Sequence, residues 1–213
     1  HYPLRRQRQM CIRDSTSAVN QAWRSVTWGG PAGSEKFVAV GTSGTGNRVM
    51  TSVDGVTWTS QSSAADNQWV SVVYGGPVGD RKFVATAMTG TGNRVMTSAD
   101  GVTWTARSAA ADNQWLSVTW GGPVGAEKFV AVSNNASARQ VMTSADGITW
   151  TGQTAPSPTQ GWNSVSWGGP VGAQRFVAVA NTGTGNRVMT SVDGVTWTGQ
   201  SSAADSGWNA VGW

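Results

Sequence analysis

The sequence predicts an all-β fold, a β-propeller of four four-stranded antiparallel blades plus the first strand of a fifth, forming part of a ring. The first ground is a repeat. Trp23, Trp69, Trp115, Trp162 and Trp208 recur at spacings of 46, 46, 47 and 46 residues. Trp28, Tyr74, Trp120, Trp167 and Trp213 keep step with them, as do Phe37, Phe83, Phe129 and Phe176, and Trp58, Trp104, Trp150 and Trp197. These sets absorb all 13 tryptophans, so none is left for a separate role. The second ground is composition. With 28 glycines and only 12% charged residues, the chain suits short strands joined by tight turns, with large aromatics filling thin layers between sheets. A repeat of this length with four strands matches one propeller blade, whereas solenoid coils are shorter.

Each unit divides into four strand-like pieces, in the first copy Trp23–Trp28, Lys36–Gly41, Arg48–Ser52 and Val56–Ser60. Phe37-Val38-Ala39-Val40 is a continuous apolar run, as expected of a strand covered on both faces. Trp23 and Trp28 are five residues apart and are expected on opposite faces. A sheet with two apolar faces needs a cover on each, and stacking against its own copies supplies both.

The connections agree. Asp54-Gly55, Asp100-Gly101, Asp146-Gly147 and Asp193-Gly194 predict two-residue type I′ hairpins. Gly29-Gly30-Pro31 and its copies end the first strand, because proline cannot donate to a central ladder. Gly44-Thr45-Gly46-Asn47 makes the second turn. The single inserted residue falls beside Ala155-Pro156-Ser157-Pro158, a loop. The predicted units are 21–66, 67–112, 113–159 and 160–205, with 206–213 opening another. A chain that stops one strand into a unit predicts an arc of a longer ring whose remaining blades are its partners.

Residues 1–20 stand apart as a non-native or disordered leader. The first fifteen hold the only His (His1), the only Cys (Cys11), Arg5, Arg6, Arg8 and Arg13, and match no repeat. Met10-Cys11-Ile12-Arg13-Asp14-Ser15 resembles one reading frame of a transposon end used to prepare sequencing libraries, and residues 1–15 are set aside as such an artefact. No apolar run follows the arginines, against a signal peptide. The net charge of +4 is concentrated there: without the segment, eleven basic and ten acidic residues remain. A near-neutral body gives no footprint for nucleic acid, and no stretch is apolar enough to span a bilayer. The repeats contain no cysteine for disulfides or thiolate metal sites.

The segments Ser52-Val53-Asp54-Gly55-Val56-Thr57-Trp58, Ser98–Trp104, Ser144–Trp150 and Ser191–Trp197 resemble the Asp-box (BNR-type) repeat of sialidase-like propellers, Ser-x-Asp-x-Gly-x-Thr-Trp, shortened by the residue between Asp and Gly. The resemblance covers residues 21–213. It implies structural roles for Asp54, Gly55, Trp58, Asp100, Gly101, Trp104, Asp146, Gly147, Trp150, Asp193, Gly194 and Trp197: a carboxylate capping backbone N–H groups and a Trp wedged between sheets. It also implies an extracellular or cell-surface bacterial protein.

No catalytic set is expected. A sialidase-like centre needs an arginine cluster, a Tyr nucleophile and an acid, yet Tyr74 stands where every other copy has Trp. Without His1 there is no Ser-His-Asp set or His-based metal site, and Thr-Gly-Thr-Gly-Asn-Arg is not a phosphate-binding loop. Neither metal nor cofactor is expected. Equal blades present equal groups, which suits multivalent binding or scaffolding better than chemistry. The rim formed by the second turns and the interblade connections collects Asn47, Arg48, Asp66, Asn67, Gln68, Asn93, Arg94, Asp112, Asn113, Gln114, Asn186, Arg187 and Asp205. These amides, guanidinium groups and carboxylates beside Trp69, Trp115 or Trp208 suit a glycan or protein ligand. Alternatively, the Arg and Asp side chains pair with each other as a solvated rim. Asn134–Gln140 interrupts the pattern in the third unit. Two readings follow: a non-enzymatic binding or scaffolding segment of a larger protein, or a non-catalytic piece of a sialidase-like glycoside hydrolase.

Overall fold

The computed structural model describes residues 17–135, 137 and 139–213; the expectation for residues 1–15 lies outside them. The described residues contain sixteen strands in four separate antiparallel sheets, each in simple sequential order. The first blade is β1 (Trp23–Gly29), β2 (Lys36–Gly41), β3 (Val49–Ser52) and β4 (Thr59–Gln61). The second is β5 (Trp69–Gly75), β6 (Lys82–Ala87), β7 (Val95–Ser98) and β8 (Thr105–Arg107). The third is β9 (Trp115–Gly121), β10 (Lys128–Ser133), β11 (Val141–Ser144) and β12 (Thr151–Gln153). The fourth is β13 (Trp162–Gly168), β14 (Arg175–Ala180), β15 (Val188–Ser191) and β16 (Thr198–Gln200). β1, β5, β9 and β13 pack in succession and form the inner edge of the fan. The outer strands have only three residues each, a length that gives a foreign strand little to pair with.

The two faces of a blade are chemically different, and this asymmetry drives the stacking. One face is aromatic: in the second blade it carries Trp69, Tyr74, Phe83, Met96 and Trp104. The other is aliphatic, and Val38, Val40 and Val49 of the first blade pack into the second blade's aromatic face. The arrangement recurs with Val84 and Val95 against Trp115, Phe129 and Met142, and with Val130, Val132 and Val141 against Trp162, Phe176 and Met189. Trp69, Trp115 and Trp162 are fully buried. Burial of a large apolar side chain of this kind contributes about 2–3 kcal/mol.

Both aromatics of the inner strand lie on one face, not on opposite faces as their spacing predicts. Trp69 pairs with Ala87 and Tyr74 with Phe83, four residues apart on β6, while the register shifts between Trp69 and Ser71. The extra residue, Val70, is a β-bulge, and one added residue reverses the alternation. The same shift follows Trp23 and Trp162, and it recurs opposite Val132/Ser133 at Trp115. The following residue, Ser25, Ser71, Ser117 or Ser164, is thereby turned toward the next blade.

The Asp-Gly pairs do not form type I′ hairpins. That turn needs positive φ at both central residues, and among the described residues only glycines have it, Gly55 at 72° and Gly101 at 76°. The fourth strand begins at Thr59, not Val56, because residues 53–58 form a longer loop organised by the carboxylate. The third strand begins at Val49, with Arg48 left in the turn.

Residues 206–213 continue past the fourth blade and lie against its inner strand. The Val211 N–H donates to Ser164 Oγ at 3.2 Å, and Trp208 N donates to the Ala180 carbonyl at 3.2 Å. Among the described residues this segment forms no strand ladder of its own.

Candidate functional site: the two rims

One rim gathers the β2–β3 turns and the interblade linkers, and here the predicted ligand residues do come together. They are largely engaged with one another. Arg48 Nε donates to the Gly44 carbonyl at 2.8 Å and Nη1 to that of Thr42 at 3.2 Å. Arg94 repeats this with Gly90 at 2.7 Å and Met88 at 2.9 Å, and Arg187 donates to Gly183 at 2.8 Å. Each guanidinium also faces a linker carboxylate: Arg48–Asp66 at 3.7 Å, Arg94–Asp112 at 3.6 Å and Arg187–Asp205 at 3.8 Å. The arginine side chains are only 15% exposed, the aspartates 43–46%. Asp66 and Asp112 in addition accept the N–H of Gly46 at 2.6 Å and of Gly92 at 2.8 Å. Asp205 accepts that of Gly185 at 2.5 Å.

The amides are similarly placed. Asn67 Nδ2 donates to both the carbonyl (2.8 Å) and Oδ1 (3.0 Å) of Asn93. Gln21 does the same to Asn47, and Gln160 to Asn186. Buried Asn67 and Asn113 thus stitch each linker to the turn beside it. The Gln68 and Gln114 backbone N–H groups donate to Thr89 Oγ1 and Asn135 Oδ1, and the Gln68 side chain is exposed. In the third blade Gln140 takes the arginine's place, fully buried, and donates to the carbonyls of Asn135 and Gln160. What this rim offers solvent is carboxylate oxygens and small polar loops; the arginine forks are turned inward.

The opposite rim carries the carboxylate-centred loops. Asp54 Oδ1 accepts the N–H groups of Val56 and Thr57, both at 2.8 Å, and the Ser52 hydroxyl at 2.9 Å. Ser52 Oγ in turn accepts the Gly55 N–H at 2.8 Å, and Trp58 Nε1 donates to the Gly55 carbonyl at 3.3 Å. Asp100, Asp146 and Asp193 have the same bonds, and so do Trp104, Trp150 and Trp197. The N–H groups of Thr57 and Val56, with the Ser52 hydroxyl, hold the Asp54 carboxyl down at about 2. At Asp100, Asp146 and Asp193 burial pushes upward, but the same donors outweigh it and the carboxyl still lies below its ordinary value. Gly101 is required twice over. Its φ is 76°, and a Cβ there would sit 2.8 Å from Val38 of the preceding blade.

Two ties between blades were not foreseen from the sequence. Lys82 Nζ donates to the carbonyl of Asp146 at 3.0 Å, and Lys128 Nζ to that of Asp193 at 2.8 Å. On the inner strands, Ser25, Ser71 and Ser117 accept the N–H groups of Val72, Val118 and Val165 at 3.1–3.2 Å. The available signal was a serine two residues after the first Trp in all four units. This rim also exposes Val78 (93%), Val124 (98%) and Val171 (99%) at the Pro-Val-Gly turns. A hollow of about 720 Å³ lies between the Pro31-Ala32-Gly33 turn and the Pro77-Val78-Gly79 turn, lined by Pro31, Ala32, Tyr74, Val78 and Asp80 among others. Among the described residues no three His, Cys, Asp or Glu side chains group to hold a metal, and no helix is long and apolar enough to cross a membrane.

Four sequential antiparallel sheets stacked face to face about their first strands make one arrangement. The fold is a β-propeller. YCF48 from Cyanidioschyzon merolae is similar in structure, with a TM-score of 0.58 at 18% identity, over 91% of this chain and 60% of that one. This chain therefore spans about 60% of the length of that structure. No family model matches the chain, and no curated protein matches it. Among the described residues the ring is not closed: none of the four blades covers the aromatic face of the first blade or the valine face of the fourth.

Proposed function

We propose that this chain is a non-enzymatic scaffolding arc of a larger propeller, of the Asp-box type, from a secreted or surface-exposed bacterial protein. One observation carries the scaffolding reading: the polar groups of both rims are used to hold turns and blades together. The arginine forks bond their own loop carbonyls, and the four loop carboxylates bond their own backbone. A site that binds by charge needs such donors free to meet a ligand. The Ser-x-Asp-Gly-x-Thr-Trp loops, alike in all four blades, support the Asp-box reading and, through it, the location.

A glycan or protein ligand on the linker rim is the more specific form of this function. It draws on the exposed carboxylate edges of Asp66, Asp112 and Asp205. Glycan arrays with the wild-type chain and with Arg48→Ala and Arg94→Ala variants test it. Scaffolding alone predicts no signal that depends on either arginine. Reproducible binding lost in both variants would establish a rim site in its place. Release of product from aryl glycosides or sialosides would overturn the non-enzymatic assignment.

A further inference from the structure

Several positions at which the first two blades depart from the repeat gather round one hollow. It is the hollow of about 720 Å³ between the Pro31-Ala32-Gly33 and Pro77-Val78-Gly79 turns. Its lining comes from the first two blades alone, so both walls lie within the chain. Ala32 stands where the other turns have Val78, Val124 and Val171, and Tyr74 where the other copies have Trp28, Trp120, Trp167 and Trp213. Each is the smaller side chain, and together they open space that valine and tryptophan would narrow. Arg81 stands where the other blades have Glu35, Glu127 and Gln174, and Asp80 where they have Ser34, Ala126 and Ala173.

The arginine does nothing for its own turn. Glu35 and Glu127 accept the N–H groups of Gly33 and Gly125, both at 2.9 Å. A guanidinium has no acceptor, so the Gly79 turn goes without that bond. Nor does Arg81 gain a partner. Its neighbour Asp80 is paired with Lys82 Nζ at 2.9 Å, and Arg81 itself is exposed and makes no hydrogen bond or ion pair among the described residues. The arginine forks of the linker rim, by contrast, are bonded to loop carbonyls.

We propose that this hollow binds an extended peptide segment of a partner protein, with Arg81 taking the carboxylate of an Asp or Glu side chain and an apolar neighbour of that residue packing on Pro31, Ala32 and Val78. A free guanidinium fork matches a planar carboxylate. A phosphate fits worse, because Glu35 and Asp80 would repel its second charge, whereas peptide N–H groups can donate to them. Pro31, Ala32, Val78 and Asp80 are all exposed, so the hollow is a trough that a chain can cross. A small molecule there would stay wet on too many sides. A sugar ring finds little platform, because the half-buried Tyr74 ring lies against Gly29 and 4.7 Å from Phe83. The site is on the opposite rim from Arg48 and Arg94, so it stands or falls apart from any ligand of the linker rim.

The repeat itself supplies variants that keep the fold. Arg81→Glu, Tyr74→Trp and Ala32→Val each install the residue found at that place in other blades, and the first also returns an acceptor to the Gly79 turn. The full chain is applied to an array of capped peptides with a central Asp or Glu flanked by Pro, Val or Leu, each beside its Asn or Gln counterpart. Affinities of the hits are then measured by fluorescence polarisation. Acidic peptides are expected to bind at least about tenfold more tightly than their amide counterparts, the scale of one charge-assisted bond. Arg81→Glu abolishes binding with the thermal midpoint unchanged or raised, and Tyr74→Trp and Ala32→Val weaken it. An array on which no peptide binds overturns the proposal, as does binding that ignores the carboxylate or survives Arg81→Glu. Glycan-array signal lost in Arg81→Glu would assign the hollow to a sugar instead.

Discussion

The Oγ of Ser71 accepts the backbone N–H of Val118 at 3.1 Å, joining the inner strands of two blades across 47 residues of sequence. It is a polar contact among the buried side chains that line the inner strands, and an N–H left there without an acceptor is costly. Ser71→Ala is expected to destabilise the chain by about 1 kcal/mol, read as a lower urea midpoint. Ser71→Thr keeps the acceptor and tests whether the hydroxyl alone matters.

Gly75 lies beneath the Trp120 ring, where a Cβ would overlap the ring carbons. Gly75→Ala is expected to push the blades apart and cost about 1–3 kcal/mol. Gly79, at the adjacent turn, has open space around it but a φ of 91°. Gly79→Ala therefore costs backbone strain alone, about 1 kcal/mol. Thermal midpoints of the two variants separate packing from conformation.

The inserted residue before the fourth blade has a cost at one indole. Trp69 and Trp115 donate Nε1–H to Ala65 and Ala111 at 3.0 and 2.9 Å, while the buried Nε1 of Trp162 has no partner. The residue four positions back is Pro158, in the rerouted loop. Trp115→Phe should lose a hydrogen bond that Trp162→Phe does not. The two are expected to differ by about 1 kcal/mol, with Trp162→Phe the milder in chemical denaturation.

The loop carboxylates set an acid limit. Asp54 is held at about 2 against an ordinary 3.8, so folding favours its ionised form. That contribution is complete above pH 4 and is lost as pH falls toward 2. Carbon-detected NMR titration should place the Asp54 transition near the bottom of this window. Asp100, Asp146 and Asp193 are lowered in the same direction. Asp100→Ala, which deprives the Val102 and Thr103 N–H groups of their acceptor, is expected to cost about 1–2 kcal/mol at neutral pH, the scale of a lost helix cap. It should also flatten the fall of the thermal midpoint as the pH drops below about 4.

Much of the fold was legible because a repeat states its own alignment. Phe37-Val38-Ala39-Val40, apolar throughout, announced a strand covered on both faces, and β2 is buried from Val38 to Gly41. Single-residue offsets were not legible. The bulge at Val70 leaves no mark in composition, yet it moves Trp69 to the face that Tyr74 occupies. The Asp-Gly pairs carried two meanings, a hairpin turn or a carboxylate-capped loop, and the hydrogen bonds of Asp100 to two successive N–H groups decided it. At the linker rim the sequence located Arg94 beside Asp112 but not the direction of the guanidinium, which depends on where the Gly90 carbonyl points.

The order of residues alone determined the length of the blade, its four strands and the need for a copy on either side, because apolar periodicity and turn chemistry are local properties. Which face receives which neighbour was settled only in three dimensions. A single bulged residue reverses the parity of a strand, and the polar groups of a turn find their partners across a blade boundary that no local pattern describes.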